Sequence, residues 1–318
     1  MKIILIGGAA LVIVSISWFI VQNKQSLISQ SALESKKVSV VATFYPLENF
    51  AKKVGGDRIV VTSIVPAGAE PHEYEPTQKD VLSAYQADVF LVNGAGIDPW
   101  AEKIRPELEK RGVKVVQMSE FITLLAAERE EAEHEEDGHE ESMFDPHFWL
   151  DPLLVEKEVM AISESLSARD EAGKAVYAQN ASEFLERLRI LDEQYRSGLS
   201  VCTFDTVVTS HNAFAYMASR YDFSVLPVAG LSPEAETSPR RLAEIATLVK
   251  EKGIKYIFFE TLVSPRVAET LAQEVGAETL VFNPLEGLTN EERERGEDYE
   301  SIMYQNLNNL KRALQCQK

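Results

Sequence analysis

Cysteine, histidine and positive charge are all scarce in this sequence. Its 318 residues hold two cysteines, Cys202 and Cys316, and five histidines. Lys and Arg number 32 against 50 Asp and Glu, for a net charge of −18. Such a shortage of cations argues against nucleic acid as a partner and against adsorption of the folded part to an anionic membrane surface. A cation fits the sign as a ligand. No His-Glu-x-x-His pair occurs, so the helical metalloprotease signature is missing. No cysteine follows the N-terminal apolar run, which excludes lipid attachment at a lipobox there.

That run, residues 3–21, is nearly all apolar and lies between Lys2 and Gln22-Asn23-Lys24. It reads as a signal peptide or a single membrane anchor. Its length favours an uncleaved anchor, whereas Ser29-Gln30-Ser31 before Ala32 offers a small-x-small cleavage pattern. Both readings export the rest of the chain, and residues 1–37 are taken as leader or anchor plus a polar tether. An even cysteine pair in an exported chain suggests one disulfide, Cys202–Cys316, that would staple the chain end.

From Val38 onward the pattern alternates. Strands are expected at 38–43, 59–65, 89–92 and 113–116, with helices at 47–54, 79–86 and 101–111 between them. The second half repeats this style. Strands at 205–210, 223–228, 256–259 and 279–282 alternate with helices at 213–220, 238–252 and 265–275, and a last helix runs over 299–314. Strands alternating with helices argue for parallel sheets covered on both faces. Between the halves, 153–167 is helical, and 169–200 carries Phe184, Leu188, Leu191 and Tyr195 at helical spacing. A single stiff helix over 169–200 would join an N-terminal α/β lobe (38–168) to a C-terminal one (201–318).

Three of the five histidines stand in well-separated apolar-plus-turn settings. His72 follows Pro66-Ala-Gly-Ala-Glu-Pro71, His147 lies between the two Asp-Pro pairs of Phe144–Pro152, and His211 follows Thr209-Ser210. Proline fixes its own φ and biases the preceding residue away from helix, so the 144–152 segment is a short bend, anchored by Phe144, Phe148 and Trp149. In open α/β sheets, ligands bind beyond the carboxyl ends of the strands. His72, His211 and Glu286 each follow a predicted strand at that end. Three imidazoles and a carboxylate would make a first shell for Zn²⁺ or a similar ion. The other two histidines, His134 and His139, sit in the acidic stretch 128–141, which has no apolar face. It is either a solvated loop or a weak, unselective metal trap beside the site.

The motifs Pro-x-Gly-x-x-Pro-His72-x-Tyr-Glu-Pro, Asp-Pro-His147-x-Trp-Leu-Asp-Pro and Thr-Ser-His211-x-Ala-Phe, in that order, resemble the metal-binding solute-binding proteins of zinc and manganese ABC importers, the cluster A-I or cluster 9 group. The resemblance spans about 38–316 and includes Leu231–Glu236 and Asn283–Leu288. It implies two Rossmann-like lobes, a rigid linking helix, one buried metal between the lobes, and delivery to a membrane ABC permease driven by a cytoplasmic ATPase; the carrier is expected to be a monomer. It carries over His72, His147 and His211 as ligands. For the fourth, Asn283 occupies a position where a carboxylate is common, so Glu286 is the choice, with Glu260, Asp298 or water as alternatives.

Three imidazoles with one carboxylate suit tetrahedral Zn²⁺, whereas Mn²⁺ prefers more oxygen. Zinc is therefore the expected cargo and manganese the alternative. Two other classes compete with a non-enzymatic carrier. A zinc hydrolase would need an open coordination position and a base such as Glu73. A surface adhesin would need only export.

Overall fold

Short apolar runs and proline-opened helices set the architecture. The computed structural model describes residues 37–127, 143–235 and 237–317. The expected N-terminal leader or anchor (1–36) and the acidic stretch with His134 and His139 lie outside the described residues. Among those described, no helix is long and apolar enough to cross a membrane.

The first sheet contains β1 (Val38–Ala42), β2 (Ile59–Ser63), β3 (Val89–Val92) and β4 (Lys114–Gln117) in the order β2-β1-β3-β4, all parallel. Its β3, Val-Phe-Leu-Val, is buried on both faces, as a central parallel strand must be. Three helices alternate with these strands: α1 (Tyr45–Gly55), α2 (Gln78–Tyr85) and α3 (Pro99–Lys110). Thr77 and Asp80 form a reciprocal capping box that starts α2 directly after the His72 loop.

A second sheet has the same topology. Its strands β5 (Thr206–Thr209), β6 (Ser224–Pro227), β7 (Tyr256–Phe259) and β8 (Glu278–Val281) run parallel in the order β6-β5-β7-β8. The helices α6 (Ala215–Tyr221), α7 (Pro239–Lys252) and α8 (Arg266–Val275) connect them, and α9 (Asn290–Glu294) and α10 (Tyr299–Ala313) close the chain. Between the sheets come α4 (Pro152–Arg169) and the 25-residue α5 (Lys174–Gly198).

The helix expected over 169–200 is shorter than that. Asp170 interrupts it, accepting from Gly173 N in a tight turn, so α4 ends at Arg169 and α5 begins at Lys174. At 1.5 Å per residue α5 still spans about 37 Å. One apolar core runs from the first sheet through Phe184, Leu188, Leu191 and Tyr195 of α5 to Tyr299 and Leu310 of α10. Each sheet has a smaller second core on its outer face, around Phe90 and Val115 in one and Ile245 and Ile257 in the other. The disulfide joins Cys202 to Cys316, with an S–S separation of 1.99 Å, just beyond the ends of α5 and α10.

Candidate metal centre

Four segments bring side chains together where the two sheets end. His72 lies on the loop after β2. Its backbone N–H donates to Glu70 Oε1 at 3.0 Å, and Glu73 N donates to Glu70 Oε2 at 3.2 Å, so the Glu70 carboxylate holds the loop's turn. The same loop is tied to the Glu286 segment by Gly68 N donating to Leu288 O at 2.9 Å.

His147 sits on the Asp-Pro turn. Asp145 Oδ1 accepts from the His147 backbone N–H at 2.9 Å and lies 2.7 Å from its Nδ1. Neighbours from the first sheet and from α10 brace this turn. Asn93, at the end of β3, donates to Pro146 O at 3.1 Å, and Tyr299 of α10 donates to Trp149 O at 2.8 Å. Trp149 Nε1 in turn donates to Pro284 O at 2.8 Å, which links the His147 turn to the Glu286 turn. Phe148 and Trp149 are fully buried, as expected, but Phe144 is 39% exposed. Through its backbone Phe144 pairs with Ala126 in a short antiparallel stem.

His211 follows β5. Its backbone N–H donates to Glu260 Oε1 at 3.2 Å, and the same oxygen stands 2.7 Å from the ring Nδ1. Glu260 follows β7, the neighbour of β5, so sheet order alone brings the two together.

Glu286 follows β8 on a turn built by Asn283. That side chain accepts from Leu285 N at 2.8 Å and donates to Thr261 Oγ1 and Glu292 Oε1. Asn306 completes the frame, accepting from Asn283 N and donating to Asn283 O. Leu285 has φ of 59°, a left-handed conformation unusual for a residue with a Cβ. Its burial and the bonds on either side hold the strained turn directly before Glu286.

The donor atoms converge closely. His72 Nε2 lies 3.2 Å from His147 Nε2, and His211 Nε2 lies 3.4 Å from His147 Nε2. Glu286 Oε1 lies 3.3 Å from His72 Nε2, 3.3 Å from His147 Nε2 and 3.1 Å from His211 Nε2. All four lie within 4.8 Å of one another and could hold one metal ion. Five of the six separations thus fall between 3.1 and 3.4 Å, close to the edge of a tetrahedron whose centre lies about 2.0 Å from each corner, the usual zinc–imidazole distance; the sixth, between His72 and His211, stays within 4.8 Å. In His147 and His211 the second ring nitrogen faces a carboxylate, which fixes the tautomer and leaves Nε2 free to bind.

The charges match this arrangement. Burial disfavours a positive His211, yet Glu260 and Glu286 outweigh it and hold the imidazole well above its ordinary value. Burial likewise opposes a charged His147, but Asp145 and Glu286 raise it. His72 goes the other way, lowered by burial despite Glu286. Although burial raises the Glu286 carboxyl, His211 and the hydrogen bonds from the three rings hold it well below its usual range. Glu70 is pushed up to about 7, first by burial and then by Glu286. These groups bear directly on a bound cation, because an imidazole must be neutral to ligate.

A family model described as the periplasmic component A of the zinc-uptake complex, ZnuA, matches residues 40–313. The chain belongs to the ZnuA family. The zinc-binding lipoprotein AdcA of Streptococcus pneumoniae is 41% identical over 280 residues, covering 87% of this chain and 56% of that protein. This chain thus spans little more than half the length of AdcA. The high-affinity zinc uptake system protein ZnuA of Bacillus subtilis is 38% identical over 280 residues, covering 87% of this chain and 88% of the relative. Among solved structures, the Zn(II)-bound ZnuA-like domain of S. pneumoniae AdcA superposes with a TM-score of 0.75 at 40% identity, covering 87% of this chain and 99% of that one. The laminin binding protein Lmb of Streptococcus agalactiae, described as having adhesin and metal transporting activity, gives a TM-score of 0.77 at 33% identity, covering 87% and 99%.

Within this ZnuA-type fold the alternatives for a fourth carboxylate separate. Glu286 points its Oε1 at all three imidazoles. Glu260 is engaged on the far nitrogen of His211 and so orients that ring. Asp298 caps α10, accepting from Ser301 N, and pairs with Lys53 at 2.7 Å. It belongs to the helix start and the contact with α1. Sequence reasoning missed the orienting role of Asp145, although an Asp two residues before a histidine in Asp-Pro-His is a local signal for it. Trp149 has no such signal, because its partner Pro284 comes from a distant segment.

Proposed function

We propose that this chain captures a single zinc ion outside the cytoplasm and hands it to an ABC permease. His72, His147, His211 and Glu286 are the ligands in this reading. The observation that carries it is the convergence of three Nε2 atoms and one carboxylate oxygen, five of whose six separations are 3.1–3.4 Å and all of which lie within 4.8 Å. That geometry suits d¹⁰ Zn²⁺, which accepts a four-coordinate nitrogen-rich shell, and suits Mn²⁺ poorly. Four protein donors also fill the tetrahedron, leaving no place for the activated water that a hydrolase needs. The names of the relatives, zinc-binding lipoprotein and zinc uptake protein, support a carrier rather than an enzyme.

The organisation proposed with it is a lobe over 38–168, a linking segment over 169–200 and a lobe over 201–318, acting as a monomer. The N-terminal segment is its association with the membrane.

Calorimetric titration with zinc and manganese tests the site. One tightly bound zinc per chain, displaced little by manganese, is the expected result, together with strong weakening in His72→Ala, His147→Ala and His211→Ala. Unchanged affinity in any of these removes that residue from the site. Zinc uptake in cells that lose this chain, compared with cells that lose the permease, tests delivery; equal uptake with and without the chain rejects it. The adhesin activity attached to Lmb is a separate reading for this chain. It rests on that likeness, and laminin binding that survives removal of metal would establish it.

A further inference from the structure

The turn that carries His147 is entered through a two-stranded stem. Asp145 N donates to Leu125 O at 3.0 Å, Ala127 N donates to Met143 O at 3.0 Å, and Ala126 pairs with Phe144 between them. In an antiparallel ladder, a hydrogen-bonded residue pair exchanges two bonds. The Leu125–Asp145 pair makes one of its two directly. In place of the other, the hydroxyl of Tyr216 is inserted. It accepts from Leu125 N at 2.9 Å and donates to Asp145 O at 2.9 Å.

Tyr216 belongs to α6, five residues beyond His211. Its ring is buried and meets Phe148 edge-on at 6.3 Å between centroids. The bridge therefore ties the His211 segment to the residue whose carboxylate holds His147. The next residue, Pro146, has no N–H to continue the ladder. From the Tyr216 hydroxyl to the His147 ring there are only two intermediaries, the Asp145 backbone and the Asp145 carboxylate.

We propose that Tyr216 is a positioning residue for the metal centre, setting the spacing of the Leu125–Asp145 pair so that Asp145 aims the His147 ring. This rests on the reading of His147 as a ligand. Without the hydroxyl, Leu125 N and Asp145 O must close directly on each other or admit water, since Asp145 is buried and a buried backbone carbonyl does not stay unpaired. Either change moves the Asp145 backbone and with it the carboxylate.

The test is Tyr216→Phe, alone and combined with His147→Ala, with zinc affinity read by competition against a chromophoric chelator at pH 7.5. Phenylalanine keeps the buried ring, and an unchanged far-UV spectrum and a similar metal-free melting temperature check the fold. Partners in the outer shell of a metal site typically contribute 10–100-fold to affinity. A loss of about tenfold is therefore expected for Tyr216→Phe, shrinking to less than about twofold in the His147→Ala background. Tyr221→Phe on the same helix, whose hydroxyl binds Asp192 at 3.2 Å, should leave affinity unchanged. Equal losses in both backgrounds, no loss at all, or the same loss in Tyr221→Phe would each overturn the proposal. If His147→Ala alone leaves zinc binding intact, the ligand assignment itself fails, an outcome distinct from failure of Tyr216.

Discussion

Glu260 holds His211 by its far side: their Oε1 and Nδ1 atoms stand 2.7 Å apart, while Nε2 of the same ring faces Glu286 at 3.1 Å. Two carboxylates thus address one imidazole, one orienting it and one beside it at the cation position. Glu260→Ala should weaken zinc binding by about 10–100-fold, the usual effect of removing an outer partner of a metal ligand. Loss should appear mainly as faster zinc release to a chelator. An unaltered release rate would mean that the ring is held without Glu260.

Protons and zinc compete for His147 and His211, and both are raised above the ordinary imidazole value of about 6.5. Competition therefore begins near neutral pH, and affinity should still be climbing as pH rises past 6.5. In the metal-free chain the His211 proton adds stability that is complete below that ordinary value. This stability is lost as pH rises through the raised one. Zinc stabilises the fold by about 4 kcal/mol at a thousandfold excess over its dissociation constant. Hence the zinc-induced rise in melting temperature should be large at pH 8 and small at pH 5. A rise of equal size at both would exclude a histidine-built site.

Replacing 128–141 with a short glycine-rich turn should leave the tight site intact. Ala127 N and Met143 O already meet at 3.0 Å, so a short turn can join the two sides of the stem. The replacement removes His134, His139 and a block of acids, and should lower the number of weakly bound zinc ions counted by equilibrium dialysis. Loss of the tight ion on replacement would assign this stretch to the site itself.

The disulfide closes a long loop, with Cys202 and Cys316 at a sequence separation of 114. Chain entropy puts its contribution near the upper end of the range, about 5 kcal/mol. Cys202→Ser with Cys316→Ser should lower the melting temperature substantially while keeping one zinc per chain, because neither cysteine neighbours the donor atoms. A large fall in zinc affinity would show that the staple also holds the site.

Much of this was legible in local pattern. The four-residue runs Val89–Val92 and Tyr256–Phe259 are strands at the residues expected, since buried parallel strands read as unbroken apolar runs. His72, His211 and Glu286 each come after a strand at its carboxyl end, as expected. Less visible was where the break between the two expected helices falls: it lies at Asp170–Gly173, where one carboxylate caps one N–H, rather than at 168. Invisible were the cross-links between segments far apart in sequence. Nothing near Trp149 announces Pro284 as its partner, and nothing near Tyr216 announces Leu125. Glu260 looked like a spare ligand because sequence gives a carboxylate's neighbourhood and not which ring nitrogen it faces.

The central claim is a four-coordinate zinc bound by three imidazoles and one carboxylate. X-ray absorption at the zinc edge of the loaded protein addresses it most directly. The account predicts a four-atom nitrogen and oxygen shell at about 2.0 Å with outer-shell scattering from three imidazoles, reduced to two in His72→Ala. A six-coordinate, oxygen-dominated shell, or imidazole scattering unchanged by that substitution, would contradict it.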